Sequence, residues 1–153
     1  MVEVTLNRVV DGDTLEVTGA DGSVLKVRMI GMDTPESVSS SQEKNSEYGK
    51  IASDYTKKIL KEGSVLYLEY TDKKNDQYGR ELAYVWTKNT EKRTDKEIKK
   101  YCVNAKLVAQ GYARPYYEQD NRFYKDNFRK YFKLAKKQKR GLFQYGSESK
   151  IWK

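Results

Sequence analysis

The sequence contains no histidine and only one cysteine, and both absences restrict its chemistry. Without an imidazole, the chain cannot use histidine as a general base, a nucleophile or a metal ligand. Cys102 cannot form an intramolecular disulfide, and a zinc site of cysteine and histidine is impossible. Any bound metal must therefore be a hard, oxygen-ligated cation: calcium, magnesium or manganese. We expect Cys102 to be a small buried hydrophobic residue.

Long apolar runs are also missing, since no stretch approaches the roughly 20 residues needed to cross a bilayer. We therefore expect no membrane insertion. Residues 2–10 carry charges and lack a cleavage site, so we expect no signal peptide in this chain. Our expectation for localisation is a mature domain that is secreted or held at the cell surface.

Positive charge is what the chain has in excess. Thirty lysines and arginines against 22 acidic residues give a formal net charge of +8. This excess favours nucleic acid, an anionic membrane surface or an acidic polysaccharide as partner, although a basic surface can also serve solubility alone. The length of 153 residues suits a single domain over 1–153. We expect this domain to be a monomer.

The apolar patterns predict a mainly β fold with helices (α+β). Short β-prone segments, bounded by turn residues such as Gly22 and Gly63, alternate with helical patterns. Five strands with helices after the third and the fifth are typical of a small closed barrel of the oligonucleotide/oligosaccharide-binding (OB) type. The predicted strands are residues 2–10, 14–18, 24–30, 65–70 and 82–87.

About three α-helices are predicted beside the barrel. The first has apolar residues at helical spacing over 48–59, and the second runs from Val103 to a stop at Gly111. The last is capped by Asp120 or Asn121, buries an aromatic face over 128–135 and ends at Gly141. Two polar stretches remain: residues 37–46 predict a mobile loop, and residues 88–100 predict a charged surface insertion.

One short segment concentrates residues suited to phosphate chemistry. Arg28 lies on the third predicted strand, Asp33 follows the strand end, and Glu36 comes three residues later. Pro35 fixes its own φ and biases Thr34 away from helix, so the turn has a definite shape. Without histidine, breaking a phosphodiester bond requires a carboxylate or metal to activate water and cations to neutralise the phosphate. This segment supplies a carboxylate and an arginine for those tasks.

Two further motifs add complementary groups. Asp11-Gly12-Asp13 ends the first strand with two carboxylates around a permissive glycine. A hard cation takes oxygens from different chain segments, so Asp13, Asp33 and a carbonyl near Thr34 would make a partial shell. Tyr78-Gly79-Arg80 places a second arginine at the start of the fifth strand. Each motif alone has an ordinary explanation as a turn, a helix start or a surface arginine, and only their combination indicates a site.

Three blocks of this sequence resemble the signature blocks of the staphylococcal nuclease family, in the family's order and spacing. The blocks are residues 9–14, 28–36 and 78–84. Residues 48–58 and 103–111 resemble two of the family's helices, so the resemblance covers nearly the whole chain. It implies a calcium-dependent endonuclease on an OB-type barrel, which acts on DNA and RNA and leaves 3′-phosphate ends.

The resemblance also implies roles for individual acidic residues. Asp13 and Asp33 match the calcium-binding carboxylates, and Thr34 matches the residue that gives a backbone carbonyl ligand. Asp11 matches a nearby carboxylate that does not bind the metal directly. Glu36 matches the proposed general base acting on the attacking water.

Arginines and tyrosines complete the implied site. Arg28 and Arg80 match the two phosphate-binding arginines of the family. Tyr78, together with Tyr116 and Tyr117, matches tyrosines that line the nucleotide pocket. The alternative is a non-catalytic OB-fold module that binds nucleic acid without cutting it. Degenerate nuclease-like domains of that kind usually lack the acidic residues and arginines that this chain keeps.

Overall fold

Seven β-strands, five α-helices and one 3₁₀ helix form the described part of the chain, residues 1–36, 47–117 and 123–152 of a computed structural model. No helix within these ranges is long and apolar enough to span a membrane. The strands are β1 (Val2–Asp11), β2 (Thr14–Thr18), β3 (Val24–Met29), β4 (Met32–Asp33), β5 (Val65–Asn75), β6 (Glu81–Trp86) and β7 (Arg114–Pro115). The helices are α1 (Glu47–Ile59), α2 (Asp95–Tyr101), α3 (Val103–Ala109), α4 (Lys125–Lys137) and α5 (Glu148–Ile151), and the 3₁₀ helix is Gly141–Gln144.

Five strands close into a barrel in the order β1-β2-β3-β6-β5. β3 and β6 pair in parallel, whereas the other neighbouring barrel strands pair antiparallel. Alternate side chains such as Leu15, Val17 and Val27 point inward and are fully buried. Burying one such side chain stabilises the fold by about 1.5–3 kcal/mol. The predicted OB-type barrel and its five strands are confirmed, and Cys102 is buried as expected.

Helices are more numerous than the sequence patterns predicted, because five α-helices occur among the described residues instead of about three. The second half of the predicted surface insertion 88–100 belongs to α2. Thr94 caps its first turn, Ile98 is buried in the core, and the Asp95 carboxylate accepts a hydrogen bond of 2.5 Å from Tyr131 of α4. A single buried apolar residue among charged neighbours gives no helical periodicity, so the pattern did not reveal this helix.

The last long helix differs from its prediction at its end. α4 ends at Lys137 instead of continuing to Gly141, which begins the 3₁₀ helix. The reason is a close crossing of two backbone segments: a Cβ on Gly111 would lie 2.2 Å from the carbonyl oxygen of Arg140. Gly111 and Gly141 both have positive φ, and both permit this crossing because they lack a side chain. The predicted caps Asp120 and Asn121, and the predicted loop 37–46, lie outside the described residues.

A buried amide fixes the chain where it leaves the barrel toward β4. Asn104 of α3 is fully buried, and its Oδ1 accepts a hydrogen bond of 2.9 Å from the backbone N–H of Val85. Its Nδ2 donates to the carbonyl oxygens of Ile30, at 2.8 Å, and Ala83, at 3.3 Å. Asn104 therefore ties α3 to β6 and to the start of the turn that leads to Asp33.

Candidate active site

Two turns meet at one end of the barrel and carry most of the predicted site. The Asp11-Gly12-Asp13 turn joins β1 to β2, and residues 31–36 follow β3. The Gly12 carbonyl accepts a hydrogen bond of 2.8 Å from the buried Thr56 hydroxyl of α1. A Cβ on Gly12 would lie 2.8 Å from Thr34 Oγ1, so the two turns touch. Glycine is required at position 12 because the neighbouring turn fills the space that a side chain would need.

Arg28 stands at the centre of this region and is almost fully buried. Its Nη2 lies 3.3 Å from Asp13 Oδ2 and 3.3 Å from Asp33 Oδ1. Its Nη1 donates to the carbonyl oxygens of Met29 and Met32, the latter at 3.0 Å. These contacts hold the guanidinium plane in place, which a flexible lysine ammonium would not reproduce. The structure thus brings Arg28, Asp13 and Asp33 together, as the sequence predicted.

Asp33 is held between two arginines. Its Oδ2 lies 3.2 Å from both Nε and Nη2 of Arg114, and Oδ1 faces Arg28. Burial raises the pKa of Asp33 above its ordinary value, and the Asp13 charge adds to the rise, while the two arginines oppose it. The carboxylate is therefore crowded by like charge, and the two arginines favour its ionised form.

Glu36 faces the same cleft, whose volume is about 550 Å³. Burial raises the pKa of Glu36, and the charges of Asp13, Asp11 and Asp33 raise it further. A carboxylate with a raised pKa is a stronger base, which suits a group that takes a proton from water. The charged residues lining the cleft are Asp11, Asp13, Lys26, Arg28, Asp33, Glu36, Arg80 and Arg114.

Arg80 enters this cleft from the start of β6. Parallel pairing of β3 with β6 places Arg28 opposite Leu82, two residues beyond Arg80. Asp76 Oδ2 accepts a hydrogen bond of 2.7 Å from Arg80 Nε, and Oδ1 accepts one of 2.9 Å from the Arg80 backbone N–H. Asp76 thereby orients Arg80 while leaving part of its guanidinium directed at the cleft. The two predicted arginines share one cleft.

The three predicted tyrosines do not form one group. Tyr116 lines the cleft that contains Glu36 and Arg80, and its backbone N–H donates to the carbonyl oxygen of Gly31 at 2.9 Å. Tyr117 lines an adjoining cleft, where the Arg129 guanidinium carbon lies 5.6 Å from its ring centroid. Tyr78 is 75% exposed, and its ring contacts Arg80 instead of lining the cleft. Tyr116 is thus the best placed of the three to contact a substrate.

The carboxylates of Asp13 and Asp33 are chemically suited to bind a hard cation. Asp13 and Asp33 come from separate turns and converge on the same positively charged atom, Arg28 Nη2. All acidic ligand candidates are carboxylates, the type that calcium and magnesium prefer. Within the described ranges, no three acidic, histidine or cysteine side chains are placed to hold a metal ion together. Protein oxygens would therefore supply only part of a shell, and water or substrate would supply the rest.

Sequence reasoning missed three residues around the site. Lys26 lines the cleft, and its position two residues before Arg28 on one strand would have indicated a shared face. Arg114 reaches Asp33 through the β4–β7 pairing, which no local sequence pattern predicts. The Trp152 indole N–H donates to the Asp33 carbonyl oxygen at 3.1 Å, across 119 residues of chain. Contacts of such separation do not follow from local patterns.

Comparison with known proteins identifies the family of this chain. A family model described as "Staphylococcal nuclease homologue" matches residues 26–145. The thermonuclease of Staphylococcus hyicus is 38% identical over 136 residues, which cover 89% of this chain and 72% of the relative. That of Staphylococcus intermedius is 36% identical over 139 residues, covering 91% and 74%. The SPbeta prophage-derived endonuclease YokF of Bacillus subtilis is 37% identical over 149 residues, covering 94% of this chain and 44% of the relative. The chain belongs to the staphylococcal nuclease family.

Proposed function

We propose that this protein is a calcium-dependent endonuclease that hydrolyses phosphodiester bonds of DNA and RNA and leaves 3′-phosphate ends. Family membership supports the coarser statement, a nuclease of the hydrolase class that acts on nucleic acid. The finer statement rests on one observation: Arg28, Arg80 and Glu36 share a single cleft with the Asp13–Asp33 pair. That cleft contains a base, two phosphate-binding cations and oxygen donors for a metal.

Arg28 and Arg80 are the groups suited to bind the phosphate. Each has some of its nitrogens fixed by the protein, Arg28 by Met32 and Arg80 by Asp76, so each is oriented before substrate arrives. Negative charge on the phosphate oxygens increases as water attacks phosphorus, and pre-oriented donors stabilise that increase most. Arg80 also lines the cleft, where it can stabilise the leaving 5′ oxygen.

Glu36 is suited to remove the proton from the attacking water. Its raised pKa makes the ionised carboxylate a stronger base than an exposed glutamate. Because the base must be ionised, activity should fall as pH decreases through the pKa of Glu36. Asp13 and Asp33 are poor candidates for this role, because both carboxylates are paired with arginine.

Charge balance in the cleft supports the need for a bound cation. Four carboxylates face four cationic side chains there, so the protein side chains alone leave no net positive charge for an incoming phosphate. Asp13, Asp33 and the Thr34 backbone carbonyl would hold calcium, with Asp11 close by. Bound calcium would contribute positive charge beside the phosphate and so assist the attack of water.

The test uses purified protein with 5′-labelled single-stranded DNA and RNA. We expect cleavage of both with calcium, no cleavage with EGTA, and much weaker cleavage with magnesium. The ends of the fragments show which bond breaks. Cleavage at the 5′ oxygen leaves a 5′-hydroxyl on the downstream fragment, which a polynucleotide kinase can phosphorylate without prior dephosphorylation. Persistent cleavage in EGTA would refute calcium dependence. Metal-independent binding without turnover would favour the alternative, a non-catalytic OB-fold module.

A further inference from the structure

Two further clefts adjoin the proposed catalytic cleft, which contains Arg28, Arg80 and Glu36, on the side of Arg114. Arg114 lines the catalytic cleft, an adjoining cleft of about 520 Å³ that contains Tyr117, and a third cleft of about 640 Å³. The three clefts therefore follow one another along this face, with one arginine common to all. We call the third cleft the Arg114 groove; besides Arg114, its lining includes Lys136, Lys139, Ser147, Glu148 and Trp152.

The Arg114 groove has both charged and aromatic side chains in its lining. Lys136 and Lys139 come from the end of α4 and the turn after it, where five of the eight residues 133–140 are lysine or arginine. Lys136 pairs with Glu148 at 2.7 Å and keeps half of its side chain exposed, and no ion pair of Lys139 occurs among the described residues. Trp152 packs against Phe143, and both line the groove. Lys139 and the half-exposed Lys136 thus offer accessible positive charge, which suits a ligand that carries several phosphates.

We propose that the Arg114 groove binds the backbone phosphates of a single-stranded nucleic acid substrate beyond the cleaved bond. This inference rests on the proposed function, because the strand must pass through the catalytic cleft. Continuity through Arg114 selects this occupant, since a strand that leaves the catalytic cleft past Tyr116 crosses the Tyr117 cleft and then reaches the Arg114 groove. Lys139 and Lys136 would contact phosphates that do not react, and the groove would add affinity for long substrates.

The test compares a dinucleotide, too short to reach the groove, with a 20-residue single-stranded DNA. The variant is Lys136→Gln with Lys139→Asn; asparagine is chosen because residue 139 has a φ of 52°. The control, Lys92→Gln with Lys96→Gln, removes the same charge from exposed positions outside the groove lining. We expect kcat/KM for the long DNA to fall roughly three- to tenfold in the groove variant alone. For the groove variant on the long DNA, the slope of log kcat/KM against log salt concentration should become shallower by about 0.7 for each lost phosphate contact. Cleavage of the dinucleotide should stay unchanged.

Glu148→Gln gives an independent test, because it should change kcat/KM for the long DNA in the opposite direction. Removing this carboxylate frees Lys136 from its ion pair, so kcat/KM for the long DNA should rise while that for the dinucleotide stays constant. The proposal is overturned if the groove variant affects both substrates equally, or if the control loses as much. It is also overturned if the variant loses binding to anionic lipid vesicles but keeps full activity on long DNA. Should no substrate be cut, the proposed function fails, and binding of labelled 20-mer in EGTA still tests the groove.

Discussion

Contact between the Asp11-Gly12-Asp13 turn and the turn of residues 31–36 can be tested by adding one methyl group. In Gly12→Ala, the new Cβ would lie 2.8 Å from Thr34 Oγ1 and 3.1 Å from both Cβ and Cγ2 of Thr34. Gly12 is not among the glycines with positive φ, so alanine meets no backbone strain there. Thr34 is 3% exposed and cannot swing into solvent. The turns must therefore move apart by several tenths of an ångström.

The expected cost follows from these distances. Overpacking of this kind destabilises a fold by about 1–3 kcal/mol. For a chain of this size, that lowers Tm by about 2–12 °C. The effect on catalysis should be larger, because one turn carries Asp13 and the other Asp33 and Glu36. A displacement near 1 Å costs about a hundredfold in rate, so we expect kcat/KM to fall about ten- to hundredfold.

A double-mutant cycle separates this clash from other causes. Thr34→Ala removes two of the three clashing atoms and keeps the backbone carbonyl. Its lost Oγ1 is buried without a hydrogen-bond partner among the described residues, so the single variant should cost little. Gly12→Ala with Thr34→Ala should recover part of the activity and Tm, with a coupling of about 1–2 kcal/mol. Purely additive effects, or Gly12→Ala activity within twofold of the parent, would refute the reasoning.

Three further variants test the site and its support. Arg80→Ala should lower kcat by about 10²–10³, as the loss of a donor to growing charge does, and a loss of only two- or threefold would contradict its role. Glu36→Gln should abolish turnover yet raise the Tm of metal-free protein near neutral pH, because its raised pKa means that the ionised carboxylate is destabilising. That gain should disappear near pH 4, where the carboxylate is protonated in the folded state, and scanning fluorimetry at both pH values checks the sign. Asn104→Ala should lower the free energy of unfolding, measured in urea titrations, by about 2–5 kcal/mol. The reason is that the Val85 N–H and the Ile30 carbonyl each lose a buried hydrogen-bond partner. A loss below about 1 kcal/mol would show that both groups find other partners.

Local patterns predicted the barrel well because its strands alternate regularly. Leu15 and Val17 illustrate this, since buried residues two apart on β2 signal both the strand and its inner face. Helices with little apolar periodicity were missed. α5 spans only Glu148–Ile151, and its burial depends on an aromatic cluster with Phe132 and Phe143 that forms only in the folded chain. Short elements of this kind depend on tertiary packing more than on propensity.

Within the site, the sequence predicted the residues that lie near one another in the chain. Arg28, Asp33 and Glu36 come from one segment that a proline holds in shape, so their convergence was foreseeable. Arg80 was placed by family spacing, and the parallel β3–β6 register explains why that spacing works. The pairing of Arg114 with Asp33 joins residues 81 positions apart and depends on two-residue strands that carry no recognisable pattern.

Arg28 links the stability of this site to its chemistry. A buried ion pair seldom stabilises a fold more than apolar residues of the same volume would, because desolvation of both charges offsets their attraction. The fold nevertheless keeps a buried Arg28 against Asp13 and Asp33, and it adds Arg114 on the remaining oxygen of Asp33. Stability alone does not account for this choice. If a phosphate bound Arg28, the charge of Arg28 would neutralise Asp13 and Asp33 less well. A cation bound by these two aspartates would then restore the charge balance. If the proposed calcium site is right, this arrangement would favour binding of the phosphate and the metal together.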